Sequence, residues 1–116
     1  MQIPKPTDAD KDRFRALVPA IPDVNIKPMF GNLGAFVNGN MFMGLFGSDI
    51  GVKLSPADEE RLREAGGASF GPAERPMGGY VSLPETMSAA EMQQWIGSAL
   101  SYVAGLPPKP PARKAR

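Results

Sequence analysis

The dipeptide Asn38-Gly39 separates two apolar runs within residues 27–54, KPMFGNLGAFVNGNMFMGLFGSDIGVKL. An Asn-Gly pair in this setting is the strongest short signal for a β-hairpin, because both residues tolerate the positive φ angles of a type I′ turn. A two-residue turn pairs Val37 with Asn40. The segment is therefore predicted to form antiparallel strands.

The next turn is predicted at residues 47–49, Gly-Ser-Asp, as a three-residue loop that pairs Phe46 with Ile50. This pairing divides the apolar residues between two faces of the sheet. The denser face, predicted to be the core, contains Leu33, Ala35, Val37, Phe42, Phe46, Ile50, Val52 and Leu54. The second face contains Gly34, Phe36, Met41, Met43, Leu45, Gly51 and Lys53. The second face is more apolar than a face exposed to water normally is.

Three helices are predicted from their capping residues. Thr7 precedes a short amphipathic helix at about 8–18, and Ser55 precedes a second helix that ends at Gly66-Gly67. Ser88 opens the third helix, which carries apolar residues at helical spacing up to Gly105. This last helix is predicted to be the main cover of the core.

Two further strand regions complete the prediction. One runs from Val24 toward Met29, and Pro28 places it at a sheet edge. The other lies at about 79–83, with a short strand expected near Phe70. The fold class is therefore α+β: a mostly antiparallel sheet of about five strands with helices on one face, in the order α-βββ(β)-α-β(β)-α.

Composition restricts the available chemistry. The chain has 116 residues, which suits one domain, and it contains no cysteine and no histidine. Thiolate nucleophiles, cysteine-ligated metals and imidazole bases are therefore absent. No apolar run is long enough to span a membrane, and the N-terminus lacks the apolar core of a signal peptide, so a cytoplasmic protein is expected.

Two short motifs resemble ligand sites without meeting their requirements. The glycines of GNLG, residues 31–34, lead into a strand, whereas a phosphate loop leads into a helix N-terminus. The acidic run Asp8–Asp12 begins like a calcium loop, but Arg13 stands where that loop needs glycine and Pro19 where it needs glutamate. No catalytic residue, cofactor site or metal site is predicted.

Residues 106–116, LPPKPPARKAR, are predicted to be a disordered, proline-rich basic tail after a domain at 1–105. The tail holds four of the thirteen basic residues, which leaves a net charge of about −3 on the rest of the chain. Weak association with nucleic acid through the tail is one alternative, although the tail has no aromatic residue to stack on bases.

The segment at 27–54 resembles the N-terminal domain of the TfoX/Sxy family of competence regulators. The matching residues are Lys27, Pro28, Met29, Phe30, Gly31, Gly34, Gly39, Met41, Phe42 and Lys53. The resemblance extends more weakly over residues 8–104, and Asn32 departs from the second glycine that is common in the family. It implies a secretion-chaperone-like α+β fold, a single-domain member without the C-terminal helical domain of the full-length regulators, and no enzymatic activity.

The function expected from these observations is a non-enzymatic regulatory module that acts through protein contacts, with a homodimer as the simplest assembly. The interface is predicted on the second face, at Phe36, Met41, Met43, Leu45 and Lys53, because exposed Met-rich apolar patches tend to bind partners. The alternative is a small-molecule or enzymatic role, with a ligand held between the sheet and residues 66–79 by convergent polar groups.

Overall fold

The structure is a computed structural model that describes residues 4–29 and 31–108. Its helices are α1 (Asp8–Leu17), α2 (Pro56–Glu64) and α3 (Ala89–Ala104). Its strands are β1 (Val24–Met29), β2 (Asn32–Val37), β3 (Asn40–Phe46), β4 (Asp49–Lys53), β5 (Ala68–Ser69) and β6 (Tyr80–Ser82). The predicted element order is confirmed.

The six strands form one open antiparallel sheet in the order β1-β2-β3-β4-β6-β5. The α+β class is confirmed, and the sixth strand is the two-residue β5, which pairs with β6. Strand β1 lies at an edge, as Pro28 predicts, since a proline cannot donate a hydrogen bond to a second neighbour.

The β2–β3 turn has the predicted geometry. Asn38 and Gly39 both have positive φ, +53° and +81°, and Val37 pairs with Asn40. The register then shifts, because Phe36 pairs with Met41 but Ala35 pairs with Met43. Phe42 is therefore the extra residue of a β-bulge, a feature that no local sequence signal revealed.

The β3–β4 turn also differs from its prediction. Phe46 pairs with Asp49, so the loop has two residues, Gly47 and Ser48, and the predicted pairing of Phe46 with Ile50 is wrong. Relative to the predicted register, the bulge adds one residue to β3 and the β3–β4 turn is one residue shorter. The two shifts in register therefore cancel from Asp49 onward. Strands β2 and β4 consequently keep the faces predicted for them.

The bulge reverses the faces of the second half of β3. Met43 and Leu45, predicted on the second face, are 0% and 3% exposed within the core. Phe46, predicted in the core, is half-buried on the opposite face. A slip of one residue moves every following side chain to the other side of a strand.

Helix α3 covers the core face of the sheet. It packs on β2, β3 and β4 through the buried Met92, Ile96, Ala99 and Val103, and α1 packs against it. The caps form as predicted: Thr7 and Asp10 make a reciprocal capping box, and Ser55 and Ser88 each accept a hydrogen bond from the third residue of their helix. In residues 4–29 and 31–108, no helix is long and apolar enough to cross a membrane.

Two side chains of the first hairpin hold the C-terminal end of α3. Asn38 Nδ2 donates to the Ala104 carbonyl oxygen at 3.4 Å, and Asn40 Nδ2 donates to that of Pro107 at 3.1 Å. Leu106 packs against the core cluster. The rest of the predicted tail, residues 109–116, lies outside the described residues. The nucleic-acid alternative depends on the charges of those residues and therefore stays a prediction.

Candidate functional site

The face of the sheet opposite α3 is built on a row of glycines. Gly34 pairs with Gly44, and Gly44 pairs with Gly51, so three glycines stand side by side on β2, β3 and β4. We call this surface the glycine face. Because glycine has no side chain, the row forms a trough on which larger side chains from elsewhere can lie.

One end of the trough is filled by Phe70, which follows β5. Its ring lies so close to Gly51 that a Cβ there would overlap the ring, and it is 2% exposed. The Phe70 ring also contacts the rings of Phe46 and Tyr80, both with centroids at 6.2 Å. The loop after β5 therefore packs on the glycine face as a second, small apolar cluster.

The other end of the trough carries thioethers. A Cβ on Gly34 would lie 2.8 Å from Met41 Sδ and 3.0 Å from both Met29 Sδ and Phe36 Cε1. Met41, Met29 and Phe36 are each half-buried. Their side chains thus meet above Gly34 and remain partly open to solvent.

Between these two ends lies a cavity of about 290 Å³, which we call the apolar groove. Its walls are almost wholly apolar and include Met29, Met41, Phe46, Phe70, Pro72 and Met77. A ligand between the sheet and residues 66–79 was one expectation from the sequence, and the groove lies at that place. Of the described residues that line the groove, Asn32 alone has a polar side chain, so the convergent polar groups expected with the ligand are missing from this part of the wall.

Two lysines flank the Met41 end of the groove. Lys27 Nζ lies 5.2 Å from the centroid of the Phe36 ring, and Lys53 Nζ lies 5.5 Å from that of Tyr80. These distances suit cation–π contacts, which hold both ammonium groups at this face. Among the described residues, neither lysine forms an ion pair.

Tyr80 links β6 to β3 on the glycine face. Its hydroxyl donates a hydrogen bond of 2.8 Å to the Met41 carbonyl oxygen. Burial disfavours the tyrosinate and raises the pKa of Tyr80 to about 12. Tyr80 is therefore a neutral hydrogen-bond donor at any physiological pH, not a base.

Asn32 supports the far end of the groove. It is 4% exposed; its Oδ1 accepts from the Gly47 N–H at 2.8 Å, and its Nδ2 donates to the Pro4 carbonyl oxygen at 3.1 Å. In the sequence alone, Asn32 is only a departure from the family pattern. Its role depends on two segments that are distant in sequence.

The residues predicted for the interface separate into two groups. Phe36, Met41 and Lys53 lie on the glycine face, whereas Met43 and Leu45 are core residues with 0% and 3% exposure. The described residues of the family motif are spread over β1 to β4 and two turns: Lys27, Pro28, Met29, Gly31, Gly34, Gly39, Met41, Phe42 and Lys53. Phe30 lies outside the described residues.

The described residues of the glycine face supply apolar contacts and two ammonium groups. Within the described part of the chain, no group of three or more carboxylate, histidine or cysteine residues could hold a metal ion. An apolar groove with cations beside it can bind an apolar group and orient a negative charge.

Comparisons with known proteins identify the family. No curated protein and no solved structure matches the chain. A family model described as the TfoX N-terminal domain matches residues 16–102, which contain every strand and the whole of the glycine face. Because this match covers most of the 116 residues, the chain belongs to the TfoX N-terminal domain family.

Proposed function

We propose that this chain is a non-enzymatic, cytoplasmic regulatory module that acts through protein contacts made by the glycine face, in a role related to competence regulation. The observation that supports this proposal is the apolar groove, with half-buried methionine and phenylalanine side chains on a face that no helix of the described chain covers.

The composition of this face suits protein recognition. Unbranched methionine side chains adapt to different partner shapes, and exposed apolar patches on soluble proteins commonly mark interaction sites. The glycine row leaves a depression rather than a flat surface, so a partner side chain can enter it. Lys27 and Lys53 supply charge at the rim, where charges favour specificity more than affinity.

A second copy of the chain is the first partner to test, because a symmetric contact needs no other component. We expect wild-type protein to dimerise in sedimentation velocity and light scattering over a concentration series. Met41→Glu should shift the protein to monomer, because a dimer would bury the new carboxylate in an apolar contact.

Gln93→Glu, an equal change of charge at an exposed site on α3, is the matched control and should leave the dimer intact. Thermal melts of both variants establish that they fold. A wild type that stays monomeric at every concentration would rule out self-association through this face.

A further inference from the structure

We propose that the apolar groove, with Lys27 and Lys53 beside it, is a binding site for a small amphipathic anion. The ligand class is a carboxylate on an apolar body the size of a two-ring aromatic or an eight-carbon chain. This goes beyond the protein contacts proposed above and does not depend on them, because all the residues it uses belong to one chain.

The volume sets the size of the apolar body. An apolar cavity of about 150 Å³ binds one benzene molecule, and the groove encloses about 290 Å³. Roughly two rings or a medium-length acyl chain therefore fill it, at the lower limit of ordinary ligand pockets. Larger ligands would require the loop that carries Pro72 and Met77 to move.

The walls determine the chemical character of that body. Three thioether side chains (Met29, Met41 and Met77) and two phenyl rings face the groove. Sulfur and aromatic groups are polarisable and make favourable contacts with rings and alkyl chains. A polar body would lose its hydration without gaining hydrogen bonds, because the walls are almost wholly apolar.

The charges determine the head group and its direction. Lys27 stacks on Phe36, which meets Met41 above Gly34, and Lys53 stacks on Tyr80, which donates to the Met41 carbonyl oxygen. Each ammonium group is thus separated from Met41 by a single aromatic residue. A carboxylate that leaves the groove beside Met41 is near both cations.

In the direction of the strands, the end of the groove near Phe46 carries a negative charge that repels the same head group. Asp49 pairs with Phe46, so its exposed carboxylate lies on the glycine face at the end away from Lys53. The field along the face therefore runs from negative to positive toward Met41. An anionic amphiphile has one favourable orientation, with its charge at the lysines.

Sodium octanoate is the probe for the first experiment, with wild-type protein labelled with ¹³C at the methionine methyl groups. We expect saturable shifts for Met29, Met41 and Met77, which line the groove. Met43 and Met92 are internal controls, since both are buried on the other side of the sheet and should not move. Absence of saturable shifts at the groove methionines up to millimolar octanoate would overturn the proposal.

Octanol and paired lysine variants test the charge. The double variant Lys27→Gln/Lys53→Gln should bind octanoate about tenfold more weakly, while its affinity for octanol should equal that of wild type. Lys11→Gln, on α1 away from the groove, should bind octanoate normally. Equal octanoate affinity in the double variant and wild type would refute the anion site, whatever the oligomeric state measured in the self-association experiment.

Discussion

The two faces of this sheet are built from the same strands but differ in how their side chains pack. On the core face, large side chains of β2, β3 and β4 interlock with α3 and are almost fully buried. On the glycine face, the centre of β2, β3 and β4 contributes a row of glycines, and the side chains of Phe70, Met29 and Met41 lie across that row. The first face is close-packed for stability, and the second leaves a groove of about 290 Å³.

Met41 and Met43 are two residues apart on β3, yet one lies on the glycine face and the other on the core face. A regular strand would place both on one face, yet Met43 is fully buried in the core and Met41 is half-buried beside the groove, because Phe42 is the bulged residue between them. The bulge thus separates a structural methionine from one available to a ligand or partner.

The largest expected effect compares these two methionines. Met43→Ala should lower the free energy of unfolding by about 3 kcal/mol, because it leaves a cavity in the core. Met41→Ala should cost less than about 1 kcal/mol, since its side chain already borders open space. Urea denaturation of both variants measures the difference, and equal losses would mean that the bulge does not separate the faces.

A smaller effect tests whether the glycine row is needed for packing. Gly51→Ala should destabilise the protein by about 2 kcal/mol, because the new Cβ displaces the Phe70 ring.

Gly97→Ala is the matched control for this substitution. Gly97 is exposed in α3, and outside its own turns of backbone no described atom lies within 4 Å of a new Cβ, so alanine there should stabilise the protein by about 1 kcal/mol. A neutral Gly51→Ala would show that Phe70 does not lie on the row in solution.

The smallest expected effect is a loss of stability at high pH, which measures how well the glycine face excludes water from Tyr80. The pKa of Tyr80 is raised from 10.0 to about 12, so the folded state keeps the phenol protonated where the unfolded chain ionises. Its contribution to stability is complete below pH 10 and is lost as pH rises toward 12, by on the order of 1–2 kcal/mol.

Tyrosinate absorbance in a Tyr102→Phe variant isolates Tyr80, which is then the single tyrosine in the chain. A midpoint about two pH units above that of the urea-unfolded variant is expected. Coincident midpoints would show that water reaches this part of the glycine face.

Local signals in the sequence were sufficient for the order of the elements, the first hairpin turn and the helix starts, but they made the β3–β4 turn one residue too long. Asn38-Gly39 set the first turn, Thr7, Ser55 and Ser88 set the helix starts, and Pro28 marked the edge strand. Each of these signals depends on residues within three or four positions of one another, so the corresponding turn or helix end can form without contacts to distant parts of the chain.

The site was less predictable than the fold. The sequence predicted the correct face for Phe36, Met41 and Lys53. Phe36 and Met41 flank the first turn and precede the bulge, and Lys53 lies beyond Asp49, where the extra residue of the bulge is offset by the missing residue of the turn. Met43, Leu45 and Phe46 were misplaced, since nothing in FVNGNMFMGLF distinguishes a bulged strand from a regular one. Lys27 entered only as a motif residue, because its proximity to the groove depends on β1 pairing with β2.

The element order, the antiparallel class and the family therefore follow from turn, cap and motif residues that lie close together in the chain. The tertiary structure decided which methionines are buried, what lies across the glycines and where the groove opens. Those outcomes depend on a one-residue bulge and on Phe70 approaching Gly51 from nineteen positions away in the sequence. Such contacts depend on how the side chains of the whole sheet pack together, so they cannot be predicted from any short stretch of the sequence.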